Sequence, residues 1–256
     1  MSAPVFVVDP AVLAGARPGS TIDISGAEGR HAVTVTRLQA GEAVDVVDGQ
    51  GSRASAIIQS TDRSSMQVAV RAVSHESEPQ PRIVVIQALA KGDRGELAVE
   101  QLTEIGVDEI VPWSAAHCVV QWKSDRLEKS HQRWTDAAYA AAKQSRRARF
   151  PLIAPLADTH AVVARMASAQ AALVLHESAT HPIGPWTSSL PGEVLIVVGP
   201  EGGLSAAELA AFTAAGASVV RLGPTVLRTS SAGIAAVAAL LSGSTRWAVS
   251  GSDVEG

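Results

Sequence analysis

Short runs of Val and Ile, broken by turn residues, dominate the first part of the chain, and longer alternating blocks follow residue 81. Pro4 to Val8, Ala43 to Val47, Ala54 to Gln59 and Met66 to Val73 are rich in β-branched residues and are bounded by turn formers, which predicts strands. One helix is predicted over Ala27 to Leu38. Together these elements read as a small β-barrel over residues 1–73, within the size at which many β modules fold. Residues 74–81 are polar and carry Pro79 and Pro81, which favour extended backbone and mark a linker.

Beyond the linker, strands and helices alternate. Ile83 to Leu89, Glu109 to Trp113, Leu152 to Pro155, Ala172 to His176, Glu193 to Val198 and Val219 to Leu222 are predicted strands. Between and after them lie predicted helices at Arg94 to Ile105 (closed by Gly106), Asp125 to Arg146, Thr159 to Ala167, Ser205 to Ala215 and Ser230 to Ser242. Asp125 with Glu128, and Ser205 with Glu208, have capping-box spacing. Regular alternation predicts an open parallel α/β sheet over residues 82–249, with a frayed tail at 250–256.

Composition sharpens this picture. Hydrophobic residues are 46% and charged residues 18%, enough to bury a sizeable core and too apolar for global disorder. Aromatic residues are only 4%, so the core must be built from Ala, Val, Leu and Ile. Cys118 is the single cysteine and cannot form an internal disulfide, which fits a reducing cytoplasm. The first ten residues lack a signal-peptide pattern, and no apolar run reaches about 18 residues, so no membrane span is expected. The net charge of -4 does not argue for nucleic acid; any RNA contact must come from local clusters.

Seven segments bear on the chemistry. Gly49-Gln50-Gly51-Ser52-Arg53-Ala54 matches G-x-G-x-x-A in form, but a strand follows it, so a hairpin turn is the preferred reading. Val197 to Ser205 runs from an apolar strand through Gly199-Pro200-Glu201-Gly202-Gly203 into a capped helix. Ligands of parallel α/β sheets bind outside the strands' carboxyl ends, and glycines let the backbone approach them. A tight connection with no ligand remains the alternative reading. Val220 to Gly233 repeats the layout through Leu222-Gly223-Pro224 and Leu227-Arg228-Thr229, and a third strand ends at Leu175-His176-Glu177. Lys143 to Arg149 is the densest basic run; it reads as a solvated helix end or as a phosphate site, to which Lys91-Gly92-Asp93-Arg94 could add. His117-Cys118 lacks further ligands at zinc spacing, so no metal is expected.

Taken in order, these segments resemble the RsmE family, the 16S rRNA uracil-N3 methyltransferases of the SPOUT superfamily. The likeness runs through Arg30-His31-Ala32-Val33, Thr36-Arg37-Leu38, Lys91-Gly92-Asp93, Gln101 to Val107, Arg133-Trp134, Ala142 to Ser145 and the glycine loops. Thr225, Ser230 and Lys143 depart from the family pattern, which more often has Arg, Glu and an acidic residue there. The resemblance implies a PUA-like barrel followed by a SPOUT domain with a carboxyl-terminal trefoil knot. It implies a homodimer that binds S-adenosylmethionine and methylates N3 of a specific uridine in 16S rRNA of the assembled 30S subunit. The implied cofactor residues are Leu175, His176, Glu177, Gly199, Pro200, Glu201, Gly202, Gly203, Leu222, Gly223, Pro224, Leu227, Arg228 and Thr229. Arg228 and Glu201 are the catalytic candidates. His31, Arg37, Lys91, Arg94, Gln144, Arg147 and Arg149 are the RNA candidates. A SPOUT enzyme for another rRNA or tRNA nucleotide, and a non-catalytic RNA-binding assembly protein, are competing readings; cofactor binding separates the latter from an enzyme.

Overall fold

The computed structural model describes residues 3–187 and 192–247. The chain divides into two compact units, Met1–Glu78 with Ala142–Phe150, and Pro79–Ala141 with Pro151–Gly256. The alternation of elements places 142–150 in the second domain; in the structure these residues pack with the first unit. The expected tail, 250–256, lies outside the described residues.

The first unit is a curled five-stranded sheet. Its strands are β1 (Val5–Val7), β2 (Thr21–Ile24), β3 (Ala43–Val47), β4 (Ser52–Thr61) and β5 (Met66–His75), in the order β1-β3-β4-β5-β2. Only β1–β3 is parallel. Alternate side chains, among them Phe6, Ile22, Ile24, Val44, Val46, Ile58, Met66 and Val68, close one core. The Asp48 to Gly51 segment is the hairpin turn between β3 and β4. The Asp48 carboxylate accepts from Gln50 N at 2.7 Å and Ser52 N at 2.9 Å, and Gly49 and Gly51 adopt φ of 73° and 111°.

Two short elements of the first unit escaped the sequence pattern. Helix α1 (Pro10–Ala14) is capped by Asp9, whose side chain accepts from Ala11 N, and it spans too few residues to show a period. Strand β2 alternates exposed and buried positions over only four residues. The single helix expected over Ala27 to Leu38 is divided. Helix α2 (Gly26–Arg30) continues into a π-helical turn, His31–Val35, and the chain leaves through Arg37 at φ 55°. A Cβ on Gly29 would fall 2.5 Å from Ser64 O and 2.6 Å from Ile24 O, so α2 lies pressed against neighbouring backbone.

The second unit holds β6 (Arg82–Ala88), α3 (Arg94–Ile105), β7 (Glu109–Trp113), α4 (Leu127–Gln144, whose last turn belongs to the first unit), β8 (Leu152–Ile153), α5 (Thr159–Ser168) and β9 (Ala171–Leu175). Then come β10 (His181–Pro182), β11 (Glu193–Val198), α6 (Ala206–Ala214), β12 (Ser218–Arg221) and α7 (Thr229–Leu241). The seven strands pair in parallel in the order β10-β12-β9-β11-β6-β7-β8. Such a sheet needs cover on both faces, which explains the continuous apolar runs. Val84, Ile86, Leu195 and Val197 face Val162, Met166 and Phe212 of α5 and α6. Ile83, Val85, Ile196 and Val198 face Val99, Leu102, Trp134, Val237 and Leu240 of α3, α4 and α7. Helix α3 ends at Gly106, φ 104°, as expected of a glycine stop. Helix α4 begins at Leu127 rather than Asp125, because the chain before it turns, with Arg126 N donating to Lys123 O at 2.8 Å.

The expected capping box of α6 is present in full. Ser205 Oγ accepts from Glu208 N, and the Glu208 carboxylate accepts from Ser205 N at 2.9 Å. The same buried carboxylate accepts from Ala116 N at 2.8 Å and Thr159 Oγ1 at 3.3 Å, tying α6 to the loop after β7 and to α5. Burial pushes the Glu208 carboxyl up, but the donors from Ala116, Ser205 and Thr159 prevail and hold it below the ordinary value. A depressed carboxyl stabilises the fold above the unfolded-state pKa and loses that contribution as pH falls through the folded-state value. Glu208→Ala therefore lowers stability by about 2 kcal/mol at pH 7, because it orphans buried donors. The gap from wild type shrinks below about pH 4; thermal denaturation at pH 7 and pH 3 checks this, and a gap that does not shrink rejects it.

Candidate functional site

Three parallel strands, β9, β11 and β12, end side by side, and the loops that follow them enclose a cavity of about 470 Å³. It lies within the second unit, at the strands' carboxyl ends, where open α/β sheets hold their ligands. Leu175, His176 and Glu177 line it from β9; Gly199 to Leu204 line it from β11. Leu222 and the segment Thr225 to Thr229 line it from β12. Twelve of the fourteen sequence-derived cofactor residues thus meet in one space; Gly223 and Pro224 form part of the same loop without lining the cavity. Val198, Leu204, Arg221, Thr225, Val226 and Ala232 also line it; they lie within the two segments singled out from the sequence but outside the residues named for the cofactor.

The glycine loop is fixed from both ends. Gly199 O accepts from Thr229 Oγ1 at 3.0 Å, joining the loop after β11 to the start of α7. His117 Nδ1 stands 3.2 Å from both Gly202 O and Gly203 O, so that nitrogen carries its proton. A Cβ on Gly202 would fall 2.9 Å from His117 Cβ and 3.1 Å from His117 O. Gly202 is therefore required by contact with the chain beneath the loop, whereas Gly203 adopts the left-handed conformation, φ 72°. The sequence could not assign His117; here it is the support of the loop.

Both catalytic candidates line the cavity. The Glu201 carboxylate accepts from Lys91 N at 3.2 Å and lies 3.5 Å from Arg94 Nη1. Arg94, assigned to RNA from the sequence, thus also lines the cavity; Lys91 is exposed beside it. Arg228 precedes the first turn of α7, is exposed, and its guanidinium has no ion-pair partner among the described residues. His176 Nδ1 accepts from Ser178 N at 3.2 Å, which leaves the ring proton on Nε2.

A family model described as RNA methyltransferase domain matches residues 76–241. A second, described as RNA methyltransferase PUA domain, matches residues 24–71. A Mycobacterium bovis protein named ribosomal RNA small subunit methyltransferase E is 42% identical over 93% of this chain and 92% of its own length. The chain belongs to the ribosomal RNA small subunit methyltransferase E family. A Bacillus subtilis protein of the same name is 30% identical over 86% of this chain and 89% of its own. A crystal structure of the Neisseria gonorrhoeae methyltransferase E, bound to S-adenosyl methionine, superposes with a TM-score of 0.84. It is 26% identical and covers 94% of this chain and 98% of that one.

The other RNA candidates lie in the first unit. His31 and Arg37 are exposed on and after the π-helical turn. Gln144 is exposed and Arg147 half-buried at the end of α4. Arg149 has a structural role, since its Nε donates to Glu76 O at 2.8 Å. Among the described residues no group of three or more His, Cys, Asp or Glu side chains could hold a metal ion, and no helix is long and apolar enough to cross a membrane.

The loop geometry separates two glycines. Gly202→Ala forces the loop off His117 and weakens S-adenosylmethionine binding by about tenfold or more, equivalent to at least about 1.4 kcal/mol. A Cβ on Gly223 meets nothing within 4 Å, so Gly223→Ala binds within about twofold of wild type. Isothermal titration of both variants is the check; equal losses would mean that the contact with His117 does not decide the loop's shape.

Proposed function

We propose that the chain transfers the methyl group of S-adenosylmethionine to N3 of a specific uridine of 16S rRNA in the 30S subunit, as a cytoplasmic homodimer. The observation that carries this reading is the convergence of the three strand-end loops on one cavity in a chain of the methyltransferase E family. The cavity suits the cofactor: its size is that of a small-molecule site, and it combines backbone groups of the glycine loop with apolar Leu175, Val198, Leu222 and Leu227. Glu177 and Glu201 bring negative charge to a ligand that carries a sulfonium and an ammonium group. When bound there, S-adenosylmethionine supplies an electrophilic methyl group.

The protein's part is to align the acceptor and to manage a proton. Neutral uracil carries hydrogen on N3; that proton passes to solvent water, and negative charge spreads to the flanking carbonyl oxygens. Arg228, at the cavity and without an ion-pair partner among the described residues, is the group we assign to stabilise that charge. Glu201, whose carboxylate is already engaged by Lys91 N and Arg94, serves as a positioning residue for the loop and for Arg94.

A trefoil knot in the cofactor loops is part of the proposal. In its favour, β12 lies outside β9 while β11 lies inside it, and α7 then returns to pack on β11 and β6. Dimerisation is supported by α7, where Ile234, Ala235 and Ala238 stay half-buried beside the face committed to the core.

Arg228→Ala lowers the single-turnover rate of methylation of 30S subunits by about thirty- to a thousandfold at saturating cofactor, with both binding affinities nearly kept. Arg228→Lys recovers part of the rate, since an ammonium cannot make a planar two-point contact. A normal rate in the Ala variant removes Arg228 from the chemistry. Absence of methylation by wild type, with the product mapped by mass spectrometry, rejects the proposed function itself.

A further inference from the structure

Two non-glycine residues among those described have positive φ, and both are arginines of the first unit: Arg37 at φ 55° and Arg146 at φ 58°. Left-handed backbone disfavours an L-residue by about 1–2 kcal/mol, a figure that applies to any side chain with a Cβ. Arg146 occupies a position that glycine commonly fills. Arg147 N donates to Ala142 O at 2.9 Å and Arg146 N to Lys143 O at 3.1 Å, the paired bonds of a Schellman ending, with Arg146 at its left-handed residue.

The surroundings hold Arg146 in that conformation and leave its head group unused. Its carbonyl accepts from Arg53 Nη2 at 2.7 Å. Three residues earlier, Lys143 Nζ lies 2.6 Å from Glu28 Oε1, which ties the end of α4 to α2. The nearby carboxylates are taken: Arg53 pairs with Asp45 at 2.9 Å and with Glu76 at 3.4 Å. Arg149 is bound to Glu76 O, and Arg147 is half-buried. Arg146 and Arg37 are exposed, and neither guanidinium has a hydrogen bond or ion pair among the described residues.

We propose that Arg37 and Arg146 are phosphate contacts of the first unit, held in left-handed backbone to present unpaired guanidinium groups to RNA. Residues held in sparsely populated backbone regions by their surroundings cluster at functional sites, and a guanidinium matches two phosphate oxygens at once. The inference rests on the proposed function for the identity of the nucleic acid. It moves the phosphate role within the basic run from Arg149, whose side chain is committed to the fold, to Arg146, whose side chain is not.

Glycine is the informative replacement, because it removes the side chain and the strain together. Arg37→Gly and Arg146→Gly, in the full chain, should leave the thermal midpoint unchanged or raised by up to about 3 °C. Each should lower the slope of log affinity against log salt by about 0.7, measured on purified 30S subunits and on deproteinised 16S rRNA. Arg146→Lys should keep the slope. Affinity for S-adenosylmethionine, whose cavity lies in the second unit, should match wild type. Unchanged slopes in both glycine variants overturn the proposal, as does a midpoint more than about 3 °C below wild type. A wild-type protein that binds neither RNA probe instead rejects the reading of function, and the two failures are distinct.

Discussion

The hydrogen bond from Thr229 Oγ1 to Gly199 O is the joint on which the candidate site depends. Strand β11 is paired on both sides and almost wholly buried, so Gly199 emerges from it at a fixed place. Thr229, itself buried, begins α7 and takes the carbonyl that the strand leaves without a partner. Beneath it Gln87 donates from Nε2 to Thr229 O at 3.5 Å and to Ala88 O at 3.3 Å. Without the threonine hydroxyl, an inward-facing carbonyl would lose its partner, and the loops after β11 and β12 would no longer be joined. The helix can come this close because of Gly233, where a Cβ would meet Leu102 Cδ2 at 3.1 Å and Val198 Cγ2 at 3.4 Å. One small residue and one hydroxyl thus set the distance between α7 and the sheet, and with it the width of the cavity.

The wall and the rim of that cavity differ in kind. The glycine loop is braced by His117 below and Thr229 beside it, so little conformational entropy is left to lose when a ligand enters. On the rim, Val226 is 78% exposed and Arg228 has no ion-pair partner among the described residues. A braced wall suits a ligand that is the same molecule in every cycle. An open rim suits an acceptor that arrives as part of a large RNA and must be oriented on arrival.

What could be read from the sequence follows the range of the forces involved. Arg94–Ile105, Glu109–Trp113 and Glu193–Val198 are found at their expected bounds, and the Ser205–Glu208 capping box is formed, because period and caps are local properties. The short α1, β2 and β10 carry too few residues for any period, and the close approach of Gly29 to Ser64 joins residues distant in sequence. The three loops that line the cavity were legible as glycine and polar breaks after apolar runs. His117 was not, since its role depends on a backbone that returns to it 85 residues later. Lys143 illustrates the same limit: it departs from the family's acidic preference, and its partner Glu28 lies 115 residues away.

Charge shows most clearly why a count cannot replace a structure. A net charge of -4, taken alone, opposes binding to a polyanion. Yet many of the acidic groups are engaged by the protein's own cations. Glu109 is held by both Arg82 and Arg165, Glu193 by Arg82, Asp108 by Arg246, Glu28 by Lys143, and Asp45 by Arg53. These pairs are partly or largely shielded from water, so an incoming phosphate meets them as near-neutral dipoles rather than as repelling charges. What it meets at range are the cations that folding leaves without partners. Over a Debye length of about 8 Å at physiological salt, only the local balance matters. An acidic chain can therefore present a cationic surface to RNA, provided its internal pairs remove carboxylates from that surface and spare a few arginines.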